Sequence, residues 1–168
     1  MSARLPSPAS KLARGLRVLE DLLSKILKTF EDGAEGYDEV VFVGAIPFHA
    51  HCEHHLAPFF GVAHIGYLPR FKIVGLSKLP RLVDIYARRL TVQERITTQV
   101  ADAINEHLQA RAVGVVLRCR HLCMESRGIN RARAITYTSA LRGLFKTDTA
   151  LRAEFMTLVK RADETSEP

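Results

Sequence analysis

Apolar positions change period several times along the chain, and each change marks an element. Leu12, Leu16, Leu19, Leu22, Leu23, Ile26 and Phe30 recur at three- and four-residue spacing, which predicts an amphipathic helix from about Lys11 to Phe30. A Gly-bearing turn, Glu31 to Gly36, follows it. β-Branched residues then take over. Val40 to Val43 predicts one strand and Val62 to Tyr67 a second, with the polar segment Phe48 to His55 between them. Helical spacing returns twice, through Leu79, Leu82, Val83, Tyr86 and Leu90, then through Val92, Ile96, Val100, Ile104 and Leu108, with Thr91 as the separator. Strands are expected again over Val113 to Cys123 and Ala134 to Ser139, and a last helix over Ala150 to Lys160. The polar tail from Ala162 to Pro168 should fray. No internal repeat interrupts this order, and an antiparallel α+β domain is its simplest solution.

Composition narrows the class. A chain of 168 residues with 47% hydrophobic content can bury one substantial core, so one domain is the default. No apolar run reaches membrane-spanning length and the start lacks a secretory stretch, so a soluble, intracellular protein is expected, with no membrane partner. The net charge of +6 would attract nucleic acid, an anionic surface or a polyanionic small molecule alike. The absence of a long basic block, an RNA-binding aromatic signature and any Trp weighs against nucleic acid. Three cysteines are an odd number for a disulfide framework, which leaves thiols for metal.

Cys52 and His55 stand in a C-x-x-H spacing that lets a thiolate and an imidazole turn toward one ion from a short loop. Cys123, far along the chain, could add a third ligand and leave a fourth position for water, as catalytic rather than structural zinc sites do. Buried free thiols and incidental histidines are the alternative. Cys119, His121 and Cys123 alternate and would share one face of a regular strand. Four strand residues span roughly 13 Å at about 3.3 Å each, so only one of the two thiols could serve a common ion. His121 would then lie close to whatever the metal holds.

Cys-Glu-His-His at 52–55, Gly-Leu-Ser-Lys at 75–78, Gln-Glu-Arg at 93–95 and His-x-Cys-Met-x-x-Arg-Gly at 121–128 resemble GTP cyclohydrolase I in order and spacing. The resemblance runs from roughly Asp38 to Val159. It implies the tunnelling fold, an antiparallel four-stranded sheet with two helices between strand pairs, whose subunits join sheets into a barrel. The usual assembly is a homodecamer with active sites at subunit interfaces. It divides the chain into an N-terminal helical segment (1–36), a catalytic domain (37–161) and a flexible tail (162–168).

Carried over by position, the resemblance makes Cys52, His55 and Cys123 ligands of one zinc per subunit and leaves Cys119 out. It makes His54 and His121 the acid–base pair, a role suited to a side chain that titrates near neutrality; either could instead only orient its neighbours. Glu94, with Gln93 beside it, corresponds to the group that reads the guanine edge. Thr91 to Glu94 is also a capping-box pattern, which is a competing role for Glu94. Ser77, Lys78, Arg81 and Arg127 match positions that hold the triphosphate or assist the later sugar chemistry, Ser77 being counted with the catalytic groups. Ser77 could equally be an N-cap. His49, His51, His64 and His107 are read as structural. One family feature is missing, an N-terminal Arg that reaches a phosphate, for which Lys11 or Arg14 could substitute; Pro80 stands where the family usually has another residue.

The implied reaction takes GTP as partner. Zinc activates water for attack at C8, the imidazole ring opens, a second hydrolysis releases formate, and an Amadori rearrangement with reclosure gives 7,8-dihydroneopterin triphosphate. Such a reaction opens tetrahydrofolate and pterin biosynthesis in the cytoplasm. Another tunnelling-fold enzyme of purines or pterins, a cyclohydrolase stopping at the ring-opened formamide, and a zinc-stabilised basic nucleic-acid-binding module are the rival readings.

Overall fold

The computed structural model of the chain describes residues 21–31 and 34–165. Residues 21–26 are helical, as expected for the end of the first helix, whose earlier part lies outside the described residues. The elements that follow are β1 (Thr29–Phe30), β2 (Val41–Cys52), β3 (Pro58–Leu68), β4 (Ile73–Val74), α1 (Lys78–Ala87), β5 (Leu90–Thr91), α2 (Gln93–Leu108), β6 (Ala112–His121), α3 (Leu122–Glu125), β7 (Ile135–Gly143), α4 (Leu144–Thr147) and α5 (Thr149–Thr165). Phe30 thus leaves the helix early. It pairs with Ile73 in the small β1–β4 ladder.

The main sheet has the order β5-β2-β3-β6-β7. Its four long strands are mutually antiparallel, and β5 adds a fifth, parallel to His51–Cys52. The sheet is therefore mixed, and Thr91, expected only to separate two helices, belongs to it. β2 is longer than the apolar run that announced it. Phe48, Ala50 and Cys52 are buried while Pro47, His49 and His51 are exposed, so strand alternation continues through the segment expected to be a loop.

One face of this sheet packs Phe48, Phe59, Ile65 and Leu117 against Leu79 and Leu82 of α1 and Ile96, Val100 and Ile104 of α2, forming the larger core. The opposite face is covered by α5, whose Phe155 and Val159 meet Leu68, Ala112, Val116 and Phe145. Gly66 and Gly114 are register partners beneath Phe155. A Cβ on either would lie 2.7 or 2.6 Å from that ring, so the pair leaves the bare backbone on which Phe155 sits.

α5 also corrects the expected tail. Instead of fraying at Ala162 it continues to Thr165, because Asp163 is anchored to the sheet. His64 Nε2 lies 3.0 Å from one carboxylate oxygen, Arg118 Nε 3.1 Å from the same oxygen, and the Tyr137 hydroxyl donates to the other at 3.3 Å. Among the described residues no helix is long and apolar enough to cross a membrane.

Candidate metal and proton-transfer site

Cys52 ends β2, and the turn from Glu53 to Leu56 leads back toward β3. The Cys52 N–H donates to Ala57 O at 2.9 Å, and the Leu56 N–H to Cys52 O at 2.8 Å, with Leu56 at φ 53°. A third bond, Glu53 N–H to Thr91 O at 3.0 Å, ties the turn to β5. The short fifth strand thus fixes the start of α2 beside Cys52. On the other side β6 stops at His121, and the next residues coil into α3. Cys123 is therefore on a helical turn rather than on the strand face expected for it.

That turn brings Cys123 to Cys52 and His55, whose ligand atoms all lie within 4.8 Å of one another; Cys52 Sγ and His55 Nδ1 are 3.6 Å apart. Tetrahedral zinc with ordinary Zn–S and Zn–N bonds needs ligand separations of roughly 3.6–3.8 Å. Two sulfurs and one imidazole also form a set that suits zinc. Burial and the neighbouring Cys52 sulfur both push the Cys123 thiol up, a cost that a bound divalent cation would reverse. The three residues thus fit a metal ion. Cys119 is outside the cluster, buried in β6, and its thiol is pushed up to about 12, chiefly by burial.

His121 stacks on Phe59 with ring centroids 4.7 Å apart and planes 5° from parallel. Its Nε2 lies 2.8 Å from Gln93 Oε1. Gln93 is buried, and its amide nitrogen donates to Leu117 O at 3.1 Å and Thr136 O at 3.0 Å. The carboxamide expected beside guanine is thus engaged by the protein. Burial lowers the pKa of His121, and the charge of nearby Glu94 opposes the shift.

Glu94 is exposed at the second position of α2. The N-cap is Val92 and no side chain caps the helix, while the Thr91 hydroxyl turns to Val92 O at 3.5 Å. The capping-box alternative fails because its register is wrong by one residue. Ser77 occupies the N-cap position of α1 without a capping bond, so its alternative role fails too. Ser77 and Arg81 are exposed and Lys78 is half-buried; none hydrogen-bonds to the cluster among the described residues.

His54 projects into solvent, its Nε2 3.8 Å from Glu53 Oε1. Glu53 and Arg95 form a two-pronged pair, with Arg95 Nη2 at 2.8 Å from Oε1 and Nη1 on Oε2. This hydrogen bonding holds the Glu53 carboxyl below its ordinary range. Arg127 Nη2 donates to His55 O at 3.1 Å. Two arginines thus grip the ligand turn from opposite flanks. Sequence reasoning missed Glu53, Arg95 and Phe59, although the first two stand inside the motifs at 52–55 and 93–95. The remaining histidines are apart from the cluster: His64 is on Asp163, His107 Nδ1 is 2.9 Å from Ala103 O, and the His49 ring lies against Phe60.

The profile of the family described as GTP cyclohydrolase I matches residues 2–160. GTP cyclohydrolase 1 of Janthinobacterium sp. (strain Marseille) is 60% identical over 140 residues, covering 83% of this chain and 71% of that protein. The Nitrosospira multiformis protein of the same name is 64% identical over 135 residues, covering 80% and 71%. Among solved structures, the apo archaeosine synthase QueF-Like superposes with a TM-score of 0.52 at 13% identity, covering 62% of this chain and 94% of that one, a likeness of fold alone. A profile that spans nearly the whole sequence, and relatives of this identity, show that the chain belongs to the GTP cyclohydrolase I family.

Proposed function

We propose that the chain converts GTP to 7,8-dihydroneopterin triphosphate with release of formate, using one zinc per subunit. The convergence of Cys52, His55 and Cys123 at one end of the sheet, with His121 and Glu94 nearby, carries the reading. Cys52, His55 and Cys123 would hold the zinc, which when bound supplies Lewis-acid chemistry that brings the pKa of water to about 7.

The chain's own groups do the rest. His121, whose pKa burial lowers, takes and returns a proton at the purine, and His54, exposed to solvent, serves the second exchange. Glu94 accepts from N1–H and the 2-amino group of guanine, two donors that adenine does not offer together. Arg127 retains donors beyond the one on His55 O, and with Ser77, Lys78 and Arg81 it holds the triphosphate. Among the described residues Ser77, Lys78 and Arg81 make no hydrogen bond to the cluster of their own chain, which fits a site completed by a neighbouring subunit. Residues 37–161 form the catalytic domain, preceded by an N-terminal segment over 1–36. The assembly is a cytoplasmic homodecamer that opens tetrahydrofolate and pterin synthesis.

Zinc-loaded protein incubated with GTP should yield formate and, after oxidation, a fluorescent pterin. Mass spectrometry of the product separates this outcome from a reaction that halts at the ring-opened formamide. No consumption of GTP by the fully zinc-loaded assembly refutes the proposal.

A further inference from the structure

The carboxamide of Gln93 can be oriented by elimination. Its two nearest neighbours on one side are the carbonyl oxygens of Leu117 and Thr136, which can only accept. The NH₂ group must therefore face them, and the oxygen must face His121, 2.8 Å from Nε2. A carbonyl oxygen can only accept, so Nε2 of His121 carries a hydrogen. Neutral imidazole has one N–H, which leaves Nδ1 as the bare nitrogen. Among the described residues Nδ1 has no hydrogen-bond partner, and Phe59 closes one face of the ring by parallel stacking.

We propose that Gln93 is a positioning residue that fixes His121 as the Nε2–H tautomer, so that Nδ1 is the ring nitrogen whose lone pair is offered to the substrate. The Nε2 hydrogen stays on Gln93 Oε1 throughout. A neutral amide suits this task. It fixes the tautomer without adding a charge that would hold the imidazolium form, and burial of Gln93 at 1% exposure excludes water from replacing it. The anchoring carbonyls come from β6 and β7, so the tautomer is set by the sheet itself and not by the mobile end of a surface side chain.

The role of Nδ1 in turnover rests on the GTP reading, whereas the tautomer does not, and the two are measured separately. Zinc-loaded protein with ¹⁵N-labelled histidine is studied by solid-state NMR, with the His121→Gln variant assigning the resonances. The expected spectrum has a protonated Nε2 and an imine-type Nδ1; a proton on Nδ1 overturns the proposal, even in a chain that failed to turn over GTP. Gln93→Met removes the acceptor at nearly constant volume. It should populate both tautomers and lower kcat roughly ten- to a hundredfold, with KM for GTP within about twofold. An unchanged tautomer in that variant overturns the proposal. So does a raised KM with kcat retained and weakened preference for GTP over inosine triphosphate, since Gln93 would then be touching the base. If the variant does not fold, the spectrum of the unaltered protein still decides.

Discussion

Cys119 and Cys123 stand four residues apart with opposite surroundings. Cys119 is sealed in β6, outside the cluster of Cys52, His55 and Cys123, with its thiol pushed up to about 12 chiefly by burial. Cys123 has left the strand and meets Cys52 and His55. Cys123→Ser should therefore release zinc and Cys119→Ala should retain it, which metal analysis of the purified proteins measures; equal loss from both would show that the wrong thiol has been chosen. Glu94 sits one helical position before the place a capping box requires, so its substitution should leave folding nearly intact. Glu94→Gln should cut kcat/KM for GTP roughly ten- to a hundredfold, the effect of losing a charged hydrogen bond of about 1.5–3 kcal/mol. Melting temperatures should stay close to the parent for both Glu94→Gln and Glu94→Ala. Unchanged GTP kinetics in the Gln variant would remove Glu94 from the site.

At the scale of elements, the two helices α1 and α2 and the cores of β3 and β6 were legible because their apolar residues recur at clean periods. The far half of β2 was equally periodic, yet its exposed partners are His49 and His51, and histidines so near Cys52 read as chemistry rather than as the wet face of a strand. β5 and α3 were not legible. An element of two residues, or a single turn, has no period, and each exists because neighbouring segments hold its backbone. The helix end at 162–165 was missed for a related reason, since its anchor, His64, lies far away in sequence. That anchor has a pH signature. His64 accepts the Ala45 N–H at Nδ1 and faces Asp163 through Nε2, so no lone pair is left for a second proton. Burial lowers its pKa, with Asp163 pulling the other way and Arg118 adding to the decrease. The unfolded chain, with an ordinary value near 6.5, then takes up the proton first. Stability from this site is complete above about pH 6.5 and is lost as pH falls toward the folded pKa. Melting temperature should accordingly fall more steeply below pH 6.5 in the parent than in His64→Gln, which can keep both hydrogen bonds; parallel curves would contradict it.

Among the described residues two long backbone edges of the main sheet are open. Among the described residues β7 is paired on its β6 side alone, and β2 meets β5 at His51 and Cys52. Rows of unpaired N–H and C=O groups are usually shielded by charge, proline or a covering segment, because they otherwise recruit further strands. Here the β7 edge carries Ile135 at 45% and Tyr137 at 55% exposure, large apolar groups that deter nothing. The two open edges lie on opposite sides of one sheet, so a second copy can place one against the other, and repetition of that head-to-tail contact generates a ring. Light scattering should therefore find a large assembly, expected at ten subunits, and GTP turnover should disappear with it on dilution. Ile135→Lys puts charge on the edge without touching either core. That variant should sediment as smaller species with unchanged circular dichroism and still bind zinc through Cys52, His55 and Cys123, yet turn over no GTP. A fully active monomer would break the link between the open edges and the catalytic site.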